Sequence, residues 1–292
     1  MPCMTRKGIW AALLACACAL LFVIFTAAQE SAPPASAARI LLVPWKMVSG
    51  DRATLAVLDV NGRLTPNVAI DFSNGDKIKT DATGRALYVA PLKQGPLFAS
   101  IVGRPGRVKT AVVSPQDAAA SGVEIAMAPL TASLRDRFVI TGGGFCGDAD
   151  KNDVTVGGKK ALVLASSPLA LQILPPIDQE PGTARVAVSC GKQTIGSFST
   201  AFLSLELQAD RASLAPGQKR TMVVRVRGTG EKVRLEARNL EPEVVELEGG
   251  NPLRVSSTGG EDNDARFQIV GRNRGRILIS IRLLPHYVRP RS

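Results

Sequence analysis

From residue 39 onward the chain is a succession of short apolar runs, four to eight residues long, broken by Gly, Pro, Asn and Asp. A helix would show apolar positions three and four apart. These runs instead fit strands separated by tight turns, repeated often enough to build sandwiches or barrels rather than an α/β fold. The first stretch, 39–115, predicts strands at Ile40–Val43, Ala53–Val60, Val68–Phe72, Lys77–Thr80, Ala86–Val89, Leu97–Val102 and Val108–Val113. Asn61-Gly62 predicts a hairpin turn, because both residues tolerate positive φ. Pro115 to Gly122 (PQDAAASG) is small and polar, and 116–129 is expected to be a linker with at most one helical turn. A second unit is expected over 130–204 and a third over 205–284, with strands at Thr221–Val226, Val233–Ala237, Val244–Leu247, Phe267–Val270 and Ile277–Ile281. Residues 285–292 are expected to form a C-terminal tail.

The N-terminus has a different pattern. Arg6 and Lys7 precede an uncharged run from Ile9 to Ala28, which ends in the small residues Thr26-Ala27-Ala28. This predicts a secretory signal helix over 1–28, followed by a flexible lead over 29–38. Three fates stay open: cleavage after Ala28, retention as a membrane anchor, since about twenty apolar residues can span a bilayer, or lipidation at Cys16 of Leu13-Leu14-Ala15-Cys16. The expected location is exported: periplasmic, cell-surface or extracellular. Three of the five cysteines fall in this segment. The two that remain, Cys146 and Cys190, suit one disulfide in an oxidising compartment. Two buried free thiols are the alternative.

Two stretches carry a resemblance. LAVLDVNGRLTPNVAIDFSNG followed by TDATGRALYVAP resembles the bacterial Ig-like domains of invasin-type surface proteins, over about 60 residues. In the second unit, Phe138 to Phe145 (FVITGGGF), Val154-Thr155-Val156-Gly157-Gly158, Pro175-Pro176 and Gly182 before Ala184–Val188 resemble the IPT/TIG domain. Leu214-Ala215-Pro216-Gly217-Gln218 before Thr221–Val226 is similar to the opening of many bacterial surface Ig-like repeats. These resemblances imply an all-β fold of tandem immunoglobulin-like β-sandwiches after the signal helix, acting in binding, spacing or adhesion.

Candidate chemistry narrows the function further. The one histidine, His286, lies between Pro285 and Tyr287 in the tail, and no nucleophile-elbow sequence is present, so the expectation is a non-enzyme without a cofactor. Gly142 to Gly147 matches G-x-G-x-x-G formally, yet the polar Asp148 to Asp153 follows where a phosphate-binding helix should begin. Asp148, Asp150 and Asn152 alternate like calcium ligands, but Asp153 and Lys159 stand where an EF-hand needs Gly and Glu. No metal site is expected.

The formal charge is +11 and falls to +9 without Arg6 and Lys7. About +5 of it lies in 205–292, against about +3 in 29–125 and +1 in 126–204. Alternation in Val224-Arg225-Val226-Arg227 and in Val233 to Arg238 puts the arginines opposite the apolar residues. Arg225, Arg227, Arg234 and Arg238 are therefore the candidate contacts for a polyanion. Nucleic acid is not expected, because stacking aromatics are few and the signal removes the chain from the genome. Trp45 is expected in the core or between units. The expected partner is an envelope or extracellular protein or polysaccharide. Any membrane contact would come through the N-terminus alone. The reading is a cell-envelope or extracellular adhesion or scaffold module, with an accessory protein that binds anionic polymer or glycan as the alternative.

Overall fold

The structure, a computed structural model, describes residues 39–208 and 214–290. The expected signal helix over 1–28, the expected lead over 29–38 and Arg291 lie outside them. The fold is all-β, a tandem of β-sandwiches with three main apolar cores. Among the described residues no helix is long and apolar enough to cross a membrane.

The first sandwich holds β1 (Ile40–Leu42), β2 (Lys46–Val48), β3 (Arg52–Leu58), β4 (Ala69–Phe72), β5 (Lys77–Lys79), β6 (Arg85–Val89), β7 (Gly95–Ile101) and β8 (Val108–Val113). Its sheet β2-β8-β7-β4-β5 packs on β1, β3 and β6. Alternation decides which residues enter: Leu97, Ala99 and Ile101 of β7 are buried while their neighbours are not. Tyr88 stacks on Phe72 at 4.1 Å, and its hydroxyl donates to Asp76.

Two turns in this sandwich are built alike. Asp59 Oδ1 accepts from the N–H groups of Asn61 and Arg63, and Asp81 Oδ1 from those of Thr83 and Arg85. In each, the glycine three residues after the aspartate takes positive φ, Gly62 at 76° and Gly84 at 77°. The turn at Asn61-Gly62 thus exists, but Asn61 is not in the left-handed region. An aspartate side chain and one glycine suffice. The Thr83 hydroxyl and these backbone donors hold the Asp81 carboxyl below the usual carboxylate range, partly offset by desolvation.

Ser114 then caps α1 (Pro115–Ala119), the one helical turn anticipated in the linker. The second sandwich contains β9 (Ile125–Pro129), β10 (Thr131–Ser133), β11 (Phe138–Gly142), β12 (Asn152–Val156), β13 (Lys159–Lys160), β14 (Leu162–Ser167), β15 (Ala170–Leu174), β16 (Gly182–Cys190) and the first part of β17 (Gln193–Gln208). The third contains the rest of β17 with β18 (Lys219–Arg227), β19 (Arg234–Asn239), β20 (Val245–Leu247), β21 (Leu253–Ser256), β22 (Asp264–Gly271) and β23 (Ile279–Leu283). A last strand, β24 (Tyr287–Val288), returns to pair with β9.

Three expected boundaries are corrected by this arrangement. The linker 116–129 ends early, since Ile125–Pro129 is already β9. The division at 204/205 falls inside β17, which pairs with β16 up to Phe202 and with β18 from Ser204. The tail 285–292 contains β24 because the Leu130 N–H donates to the His286 carbonyl and Tyr287 and Val288 complete a ladder.

Main-chain continuity therefore joins the sandwiches. The sheet β1-β3-β14-β15-β11-β9-β24 passes from the first to the second through the pair Thr54 and Ser166. The Thr54 hydroxyl donates to the Gly147 carbonyl at 2.9 Å and accepts from the Ala149 N–H, while the Ser166 hydroxyl donates to the same carbonyl. A side chain at Gly147 would run into the carbonyl of Arg52, so only glycine lets the two backbones meet here. Leu42, Ala56, Leu58, Leu164 and Ala165 add a small apolar cluster at the joint.

Limited digestion with a broad-specificity protease is expected to nick the mostly exposed 116–124 stretch and to spare β17 around Phe202. A first cut within 198–206 would contradict the continuous strand.

Candidate functional site

Cys146 and Cys190 form a disulfide, with Cα atoms 5.4 Å apart. The register places Asn152 of β12 opposite Cys190 of β16. The buried Asn152 side chain donates to the carbonyls of Cys146 and Asp148 and accepts from the Cys146 N–H. That leaves the supposed calcium ligands with other work. Asp148 accepts from the Asp150 N–H, and Asp150 meets Arg85 of the first sandwich at 2.7 Å.

The glycine-rich run is likewise a packing device. Side chains at Gly142 and Gly143 would strike the carbonyls of Glu124 and Gly122, and only Gly144 has positive φ. These two glycines are needed for close approach of the backbones rather than for a left-handed conformation. A single 3-10 turn, Ala149–Lys151, follows. Among the described residues no group of three His, Cys, Asp or Glu could hold a metal.

Trp45 departs from expectation. It is 50% exposed in the bend between β1 and β2, with Lys46 Nζ 4.7 Å from the ring centre, while Val43 and Met47 take the inward places.

The four candidate arginines divide into two pairs on opposite outer faces of the third sandwich. Arg225 and Arg227 stand on β18, where charge is balanced. Arg225 meets Asp264 at 3.3 Å, Arg227 meets Glu206 at 3.3 Å, and Lys219 and Arg272 pair with Glu248 and Glu246. The Asp264 carboxylate is buried, while the other three pairs are exposed and contribute about 0–1 kcal/mol each. They also leave little field for a ligand.

Arg234 and Arg238 stand on β19, in the sheet β21-β19-β23. Register brings Arg254 of β21 and Arg282 of β23 to either side of Glu236 on the same face. Four guanidiniums thus surround one carboxylate. Arg254 and Arg282 were not among the candidates, because nothing in a single strand's alternation says which strands will be its neighbours.

Below this face lies a cleft of about 770 Å³ where all three sandwiches meet. Its walls include Leu58 and Val60 from the first, Leu164 from the second and Leu205 from the third. Arg135, Arg137, Arg238 and Arg282 stand around it. Asp136 is the one acidic residue of the lining, and it sits 3.4 Å from Arg137 and 4.0 Å from Arg282. Arg135 is exposed, with no side-chain partner among the described residues. Nearby, burial raises the Tyr287 hydroxyl above the ordinary tyrosine range, partly offset by a backbone hydrogen bond with Val139.

No protein-family model and no curated protein matches this chain. Among solved structures it is similar to domains 4 and 5 of the S-layer protein SbsC, at 15% identity over 82% of this chain and 95% of that one, with a TM-score of 0.23. It is also similar to SGBP-B of the Bacteroides ovatus mixed-linkage glucan utilization locus, solved with a mixed-linkage heptasaccharide. The identity there is 12% over 83% of this chain and 60% of that one, with a TM-score of 0.22. The fibronectin(III)-like modules of Clostridium thermocellum CbhA match at 14% identity over 56% and 93% of the two chains, with a TM-score of 0.18. Overlaps this loose carry no argument about what the chain does.

Proposed function

We propose that the chain is an exported, non-catalytic scaffold of the cell envelope or the extracellular face, presenting sheet edges and loops to a protein or polysaccharide partner. The observation that carries this reading is the way the sandwiches are joined. Buried hydrogen bonds at Thr54 and the unbroken β17 fix them in place, as suits a body that holds surfaces in register. The signal-like N-terminus and the disulfide support export, and the resemblance of about 60 residues within 39–115 to invasin-type domains and of most of 130–204 to the IPT/TIG domain supports a binding or surface role. A second reading, an accessory protein for anionic polymer or glycan, is favoured by the arginine-rich face of β21-β19-β23.

Binding of residues 29–292, which hold the compact unit Arg39–Ser292, to cell-envelope fractions separates the two. At about 0.5 M salt the Debye length is only a few Å and exposed charge contacts are screened. A scaffold with a shaped site is expected to stay bound at that salt. Binding lost there would favour the polyanion reading, and none at either salt would count against both.

A further inference from the structure

β23 is the last strand of its sheet, and its free side borders the cleft. The Leu240 N–H donates to the Leu278 carbonyl and the Leu284 N–H to the Arg234 carbonyl, so even-numbered residues make the bonds to β19. In an antiparallel pair every second residue turns its N–H and C=O the other way. Ile279, Ile281 and Leu283 therefore direct theirs away from β19, and no strand pairs with them among the described residues. Ser280, Ile281 and Arg282 all line the cleft. Successive side chains point to opposite faces, so three in a row line a space only where the edge itself borders it.

We propose that this edge takes an extended segment of a partner protein, in which acidic and apolar residues alternate, as an added strand. Main-chain bonds to Ile279, Ile281 and Leu283 would give affinity, and alternate side chains specificity. One side of an added strand meets the guanidiniums of Arg135, Arg238 and Arg282. The other meets the apolar wall at Leu58, Val60 and Leu205. The cleft's one carboxylate, Asp136, is already shared by Arg137 and Arg282, so the rim keeps an excess of positive charge for a partner's acids.

This inference rests on the scaffold reading, but the two fail separately. The probe is a labelled, capped ten-residue peptide of alternating Glu and Val, titrated against residues 29–292 by fluorescence anisotropy. Two further versions carry N-methyl groups on all Val or on all Glu amides. Only one set of amides faces β23, so one methylated peptide is expected to bind at least tenfold more weakly and the other to retain affinity. R238E/R282E is expected to weaken the parent peptide at least tenfold with its melting curve unchanged. Arg135→Glu, at an exposed residue whose side chain has no partner among the described residues, is expected to act in the same direction and serves should the double variant unfold. No binding, or equal binding of all three peptides, overturns strand addition. So does a heparin octasaccharide that competes fully while methylation has no effect, since that describes a polyanion patch. Envelope binding without peptide binding overturns this inference and leaves the scaffold reading standing.

Discussion

Replacing both Cys146 and Cys190 with serine is expected to destabilise the second sandwich by about 4 kcal/mol, read from equilibrium guanidinium unfolding. The bridge spans 44 positions, and closing a loop of that length removes chain entropy of this order from the unfolded state. For a small domain that is a large fraction of the whole stability. The effect should also reach the first sandwich. The loop after Cys146 carries Gly147, Ala149 and Asp150, which meet Thr54 and Arg85. Alkylation before reduction gives a direct control: two reactive thiols in the native protein would mean that the bridge does not form. A loss below about 1 kcal/mol would show that the unfolded chain is already restricted over this stretch without the bridge.

Phe202→Ala is expected to cost about 3–5 kcal/mol, the range for emptying a buried aromatic site. Phe202 is fully buried in the second core and meets Phe138 edge-to-face at 5.8 Å. Its neighbour Leu203 is equally buried, but in the third core. Adjacent residues of one strand point to opposite faces, so β17 passes one core on one side and the next core on the other. Amide hydrogen exchange is therefore expected to quicken in β12 and β22 together when Phe202 is truncated. Faster exchange confined to β12 would show that the strand does not couple the two.

Much of the strand content was legible because buried faces declare themselves by period. Val108–Val113 is read directly from its run, and β3 and β4 fall within a residue or two of their expected ends. β17 was not legible. It carries Gly196 and several Ser and Thr, because its first half packs one way and its second half the other, and no single period spans it. β2 and β10 are three residues each, too short for a pattern.

The arginines show the same limit. Alternation placed Arg225, Arg227, Arg234 and Arg238 outward on their own strands. Which sheet each strand joins depends on pairing across tens of residues, and that decided which pair meets Glu206 and Asp264 and which meets Arg254 and Arg282. The cleft could not be anticipated at all, since its residues come from three units whose joints are tertiary. The disulfide was the easier inference, two cysteines remaining outside the signal segment and one pairing available to them.

The return of β24 to β9 bears on how the molecule reaches its native state. Val288 pairs with Ala128, so 160 positions separate the two partners. Contacts between distant residues form late, because the loop they close must first be ordered. The first sandwich draws all its strands from 40 to 113 and can close early. The second keeps β9 as an open edge until the whole third sandwich has been made. During that interval β9 offers unpaired main-chain groups to any neighbouring chain. The time the polypeptide spends with that edge bare, more than its final stability, should set how readily it aggregates during synthesis and refolding.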